Sequence, residues 1–186
     1  MPETASEATY RWTRDAYDRA VEAGVFGPDD RIELIDGQLL AMTPQGSRHA
    51  AIVSQAGEVL RDTFGGGYSV RTQCPLAVGD DSEPEPDLAV VRGRPLDYLA
   101  AHPTTAILVV EVSDETLRRD RTVKQRLYAR HGLPEYWILA LPDACLEVHR
   151  EPAATGYRSV TTLRAGDRIA PLARRGVEVA VADLLP

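Results

Sequence analysis

An excess of basic charge is the first thing this sequence lacks. It has 21 Lys and Arg against 28 Asp and Glu, a formal net charge of −7. That deficit excludes a protein that coats nucleic acid by bulk attraction, because such binding rests on neutralising phosphates with surplus Lys and Arg. If this chain meets nucleic acid, a local basic surface or a bound cation must provide the attraction. Cysteine is also scarce. Cys74 and Cys145 are the two in the chain, neither in a Cys-x-x-Cys pair. No zinc site is signalled, and two reduced thiols are a simpler expectation than one disulfide. His49, His102, His131 and His149 have no paired zinc spacing. There is no Gly-x-Ser-x-Gly elbow and no phosphate loop ending in Gly-Lys-Ser/Thr, which sets aside the serine-hydrolase and P-loop chemistries. Gly65-Gly66-Gly67 reads as a turn and not as a nucleotide fingerprint. The purest apolar run, Ala106 to Val110, is far too short to span a bilayer. The polar, acidic start Met1-Pro2-Glu3-Thr4 has no signal-peptide character, so a cytoplasmic protein is expected.

What is present is ordinary globular material: 186 residues, 44% hydrophobic and 26% charged. That length supports one sizeable core, so residues 1–9 are expected to form a flexible tail and 10–186 a single domain. Tyr10, Tyr17, Val21 and Val25 recur at helical spacing, which predicts a helix from Tyr10 to Phe26 stopped by Gly27-Pro28. Asp36-Gly37 between short apolar runs predicts a hairpin over 31–40. Ser47 is placed to cap a helix reaching about Thr63. Strands are predicted at 68–73, 88–91 and 107–112, the last apolar enough to be buried on both faces. Ser113 or Asp114 is placed to cap a helix that runs to about His131, ended by Gly132 and Pro134. Strands at 136–139 and 146–150 pair around Pro142-Asp143, and short strands follow at 157–163 and 177–181. The class is α/β or mixed α+β, with a central mixed sheet flanked by helices.

Two carboxylates sit at the ends of these strands. Asp87 opens the strand Leu88-Ala89-Val90-Val91, and Glu111 lies near the end of an apolar strand. A carboxylate there is costly unless it is paired or binds a cation. Two such groups on neighbouring strands make a site for a hard cation such as magnesium, which can polarise a phosphoryl oxygen and lower the pKa of a bound water. Lys124 lies on the helix that follows. If that helix folds back onto the sheet, the ammonium can reach the strand end and stabilise charge on phosphorus.

At these residues the chain resembles the Uma2 restriction-endonuclease family. The likeness is carried by Glu85-Pro86-Asp87, Val110-Glu111-Val112-Ser113, Arg119-Asp120-Arg121-Thr122-Val123-Lys124, the run Leu127 to Trp137, and Glu33-Leu34-Ile35-Asp36-Gly37. It spans about residues 12–180. That family belongs to the PD-(D/E)XK nuclease superfamily, so the resemblance implies a restriction-endonuclease-like αβββαβ core and Mg2+- or Mn2+-dependent cleavage of DNA. It implies Asp87 and Glu111 as metal ligands, with the backbone carbonyl of Val112 as a further one. The usual superfamily lysine, two residues after the Glu, is Ser113 here, and Lys124 matches a lysine supplied from the helix instead. Candidate supporting residues are Glu33, His49 and Tyr128, and candidate phosphate contacts are Arg118, Arg119 and Arg121.

Each residue also has an ordinary reading. Asp87 can be one more polar residue of the acidic loop 80–85. Glu111 can pair structurally with Arg118 or Arg121, and Lys124 can pair with Asp120 four residues earlier on a helix surface. The basic cluster can be a solvated helix face. The leading expectation is a Mg2+- or Mn2+-dependent endodeoxyribonuclease. The alternative is a nuclease-fold module that binds DNA or protein with weak or no cleavage. By analogy with restriction-like enzymes, a homodimer is expected.

Overall fold

The computed structural model describes residues 9–27 and 29–185. The expected tail therefore lies, except for Thr9, outside the described residues, as does Pro28 in the predicted helix stop. The first helix is shorter than its periodicity suggests. α1 spans Arg14–Glu22, because the Thr13 side chain accepts from the Ala16 N–H and fixes its start. Gly24 turns left-handed just after its end. Of the four spaced apolar residues, Tyr17 is buried, whereas Tyr10, Val21 and Val25 are exposed. The hairpin forms as expected from β1 (Ile32–Ile35) and β2 (Gln38–Ala41). Asp36 and Gly37 have φ of 50° and 70°, the pair a tight turn of this hand requires. A Cβ on Gly37 would sit 2.9 Å from that of Arg11, so glycine is needed there twice over.

α2 spans Ser47–Phe64. Gly46 stands at its N-cap with no side-chain cap, so Ser47 begins the helix instead of capping it. Beneath it lies a six-stranded sheet in sequential order: β3 (Tyr68–Thr72), β4 (Leu88–Arg92), β5 (Leu108–Ser113), β6 (Glu135–Ala140), β7 (Cys145–Ala153) and β8 (Gly156–Leu163). All neighbours are antiparallel except β5 and β6, which are parallel. That parallel pair requires a crossover, and the helical segment after β5 provides it. The segment starts after Thr116, not at Ser113 or Asp114, since Ser113 is still the last residue of β5. It comprises α3 (Leu117–Arg119), a π-helical turn (Asp120–Lys124) and α4 (Gln125–Arg130). β9 (Arg168–Ile169) and β10 (Val179–Ala180) pair apart from the main sheet, so the last predicted strand shrinks to two residues.

Strand alternation sorts the core into two layers. Leu88, Val90, Leu108, Val110, Val112, Trp137 and Leu139 pack with Ile52, Ala56 and Leu60 of α2. Ala89, Val91, Val109, Tyr136, Ile138 and Ala140 pack with Leu127 and Tyr128 of α4. The central strands are thus covered on both faces, as their unbroken apolar runs predict. The structure is mixed α+β, as expected.

Candidate active site

Register brings the two strand-end carboxylates together. Leu88 pairs with Val110 across β4 and β5, so the next residues outward are Asp87 and Glu111. Asp87 accepts from the Val112 N–H at 2.9 Å and from Gln73 Nε2 at 3.1 Å, and its Oδ2 lies 3.2 Å from His49 Nε2. The Asp87 N–H faces Glu111 Oε2 at 3.4 Å. Glu111 accepts on Oε1 from Lys124 Nζ and from the Tyr128 hydroxyl, both at 2.9 Å.

The π-helical turn lets the crossover deliver Lys124 and Tyr128, one turn apart, to the same carboxylate oxygen. Glu33 enters from β1. One of its oxygens pairs with Arg119; the other is 3.6 Å from Lys124 Nζ and accepts weakly, at 3.3 Å, from the Glu85 N–H. Glu33, Glu111 and Lys124 are 2%, 3% and 6% exposed, which makes this a buried network and not a surface one.

The ordinary readings of Glu111 and Lys124 are thereby replaced. Asp120 accepts from the hydroxyls of Ser113 and Thr116, both at 2.7 Å, and forms no ion pair with Lys124. Glu111 pairs with Lys124 and not with Arg118 or Arg121. Arg121 turns to Glu147 and Asp143, away from the cleft, and Arg130 pairs with Asp36. Arg118 is exposed and has no ion pair among the described residues. Val112 is buried in β5.

Sequence reasoning missed two contributors. Gln73 sits at φ 47° and ties itself to Asp87 twice, by its side chain and by its N–H to the Asp87 carbonyl at 3.0 Å. Ser113, expected as a helix cap and as the place of a missing lysine, instead anchors Asp120. Neither carries a local signal. A left-handed glutamine and a strand-end serine become meaningful only when their partners arrive from elsewhere.

Burial and pairing compete at every charge here. Burial disfavours the Asp87 anion, yet His49, the Val112 N–H and Gln73 outweigh it and hold its pKa below the ordinary carboxylate range. The hydrogen bond to Asp87 raises His49 against the effect of burial. Burial pushes Glu111 up, Lys124 pulls it down, and Asp120 and Asp87 add to the push. Burial also works against the Lys124 ammonium, but Glu111, Glu33 and Asp120 hold it charged. Glu85, on the edge of the cleft, is raised by burial, which Arg31 opposes.

The cleft above these groups measures about 80 Å³ and is lined by Glu33, His49, Glu85, Asp87, Glu111 and Lys124. It has room for an ion with a few waters, not for a nucleotide. The donor set fits a hard divalent cation: hard carboxylate oxygens from adjacent strands, with Glu111 Oε2 held only by the long contact to the Asp87 N–H. Among the described residues, a separate group of potential metal-ligating side chains, Asp143, Cys145 and Glu147, lies at the β6–β7 turn with ligand atoms within 4.8 Å of one another. Both of its carboxylates already share the Arg121 guanidinium.

Comparison with known proteins follows the same architecture. A solved structure, described as "a putative nuclease belonging to DUF820 from Anabaena variabilis ATCC 29413", superposes with a TM-score of 0.70 over 93% of this chain and 97% of that one, at 16% identity. At that identity the likeness defines the fold. No curated protein matches the chain by sequence. Residues 14–182 match the Uma2 family pattern, described as "Putative restriction endonuclease", and the chain belongs to that family. Among the described residues no helix is long and apolar enough to cross a membrane.

Proposed function

We propose that this protein is a divalent-cation-dependent endonuclease that hydrolyses DNA phosphodiester bonds. One observation carries the reading. Asp87, Glu111 and Lys124, from two strands and a helix, meet in one buried polar network that opens onto a cleft. Membership of the Uma2 family supports it.

Asp87 and Glu111 would hold Mg2+ or Mn2+, with the Val112 carbonyl as a further oxygen ligand. When bound, such a cation polarises a phosphoryl oxygen and makes a water acidic enough to attack. Lys124 keeps its charge through Glu111 and Glu33 and would stabilise negative charge developing on the phosphoryl oxygens. Tyr128 fixes the Glu111 carboxylate, and His49 with Gln73 fixes that of Asp87. The cleft is too small to take in a nucleotide, so the DNA backbone would lie across its mouth. Arg118, exposed and without an ion pair among the described residues, would be the foremost phosphate contact, because Arg119 and Arg121 already serve Glu33 and Glu147.

Nicking of supercoiled plasmid tests this. Nicking is expected with Mg2+ or Mn2+ and not with EDTA. Asp87→Ala and Glu111→Ala are each expected to lower it at least a hundredfold while the protein stays folded. Metal-dependent activity that survives both substitutions would sink the assignment. DNA binding without any cleavage by the wild type would favour a non-catalytic binding module.

A further inference from the structure

A second cleft, about 480 Å³, lies between α1 and the loop from Tyr98 to Thr104. That volume is typical of small-molecule sites. At its floor is Glu83, 7% exposed, whose carboxylate makes no hydrogen bond or ion pair among the described residues. Its backbone is bonded to Leu34 in both directions, which fixes the main chain where its side chain lines the cleft. A buried carboxylate without a partner is costly. Burial pushes this one up to about 7, Asp18 adds to the push and Arg14 opposes it. Arg14, the guanidinium in the cleft, donates to the carbonyls of Gly79 and Ala77.

Three more carboxylates line the space. Asp18 and Glu22 stand one turn apart on α1, and Glu85 borders both this cleft and the first. Tyr17, Val21 and Leu99 supply apolar wall between them. The acids are spread out. Among the described residues, no three of them bring oxygens within 4.8 Å of one another, so they form no cage for a metal ion. Separated anionic points along an apolar wall match a ligand with separated cationic points on an alkyl chain.

We propose that this cleft binds an aliphatic polyamine, one ammonium seated on Glu83, a second near Asp18 and Glu22, and the methylene chain against Tyr17, Val21 and Leu99. Recognition is by paired charge and alkyl contact, and nothing in it requires the first cleft to cut DNA.

Calorimetry on the full chain at low salt, without DNA or added metal, tests the site separately from cleavage. Spermidine is expected to bind once per chain, and more tightly than MgCl2 alone. Glu83→Gln should weaken it at least tenfold, and Asp18→Asn with Glu22→Gln severalfold. A thermal melt of each variant establishes that it is folded. No saturable spermidine signal, unchanged affinity in Glu83→Gln, or displacement by equimolar Mg2+ would overturn the proposal. So would a Lys-Lys peptide amide that binds more tightly than spermidine, since that result points to a protein partner.

Discussion

Lys124 shows how much one side chain can be asked to do. Its ammonium is the only cation within 4.0 Å of Glu111 among the described residues, and it shares Glu33 with Arg119. Removing one partner of a buried pair leaves an uncompensated charge, which costs about 3–5 kcal/mol. Lys124→Met is therefore expected to lower metal-free stability in urea by about that amount. Added Mg2+ should recover more stability in the variant than in wild type, because the cation replaces the lost charge. Equal recovery in both would mean that the carboxylates do not bind it.

Glu83 gives a second test at the same scale, with the sign set by its raised pKa. A folded carboxyl that titrates near 7 holds its proton where the unfolded one, near 4.5, has lost it. Folding then binds protons between those values, and stability falls as pH rises through that window. Glu83→Gln removes the loss and should be more stable than wild type at pH 8, by at most about 3 kcal/mol, and nearly equal to it at pH 4. Denaturant melts at the two pH values decide it.

Among elements, the π-helical turn matters most. π-turns concentrate at functional positions because they shift side chains out of the ordinary helical register. Here Asp120 begins the turn and Lys124 ends it, and Asp120 is clamped by Ser113 and Thr116. Ser113→Ala should cost about 1–3 kcal/mol by leaving a buried acceptor less satisfied. It should also reduce nicking, because the turn that aims Lys124 is loosened; stability loss with unchanged kcat would separate the two roles. The hairpin is simpler. Gly37→Ala, in a left-handed turn against Arg11, is expected to cost at least about 1–2 kcal/mol. That turn was legible because Asp-Gly encodes its own geometry. The π-turn was not, because nothing in Asp120 to Lys124 departs from ordinary helical sequence.

Over the whole molecule, the charge of −7 sets how DNA can be held. With most arginines of the crossover already paired to carboxylates, few phosphates can be neutralised. Each neutralised phosphate contributes about −0.9 to the slope of log affinity against log salt. Anisotropy on a short duplex, with Ca2+ to hold off cleavage, should give a slope no steeper than about −3, reduced by about 1 in Arg118→Ala. A much steeper slope would reveal a basic surface that the ion pairs do not account for. Sedimentation of the same samples tests the expected homodimer.

The sequence by itself determined the main helices and the strands of the large sheet, their order, the two-faced burial of β5 and the oddity of Glu111 within it. These follow from local periodicity, turn chemistry and the cost of a charge in an apolar run. It also marked Asp87 and Lys124, though with everyday readings equally at hand. Tertiary structure alone decided the partners: Lys124 with Glu111 and Glu33 and not Asp120, Arg121 with Glu147, Gln73 with Asp87, and Glu83 with none among the described residues. It also shortened α1, whose spacing promised a longer helix than its cap and Gly24 allow. The physical reason is that spacing along a chain fixes which face a side chain presents. Which charge waits opposite that face depends on strand register and helix packing between segments far apart in sequence, and no local pattern records it.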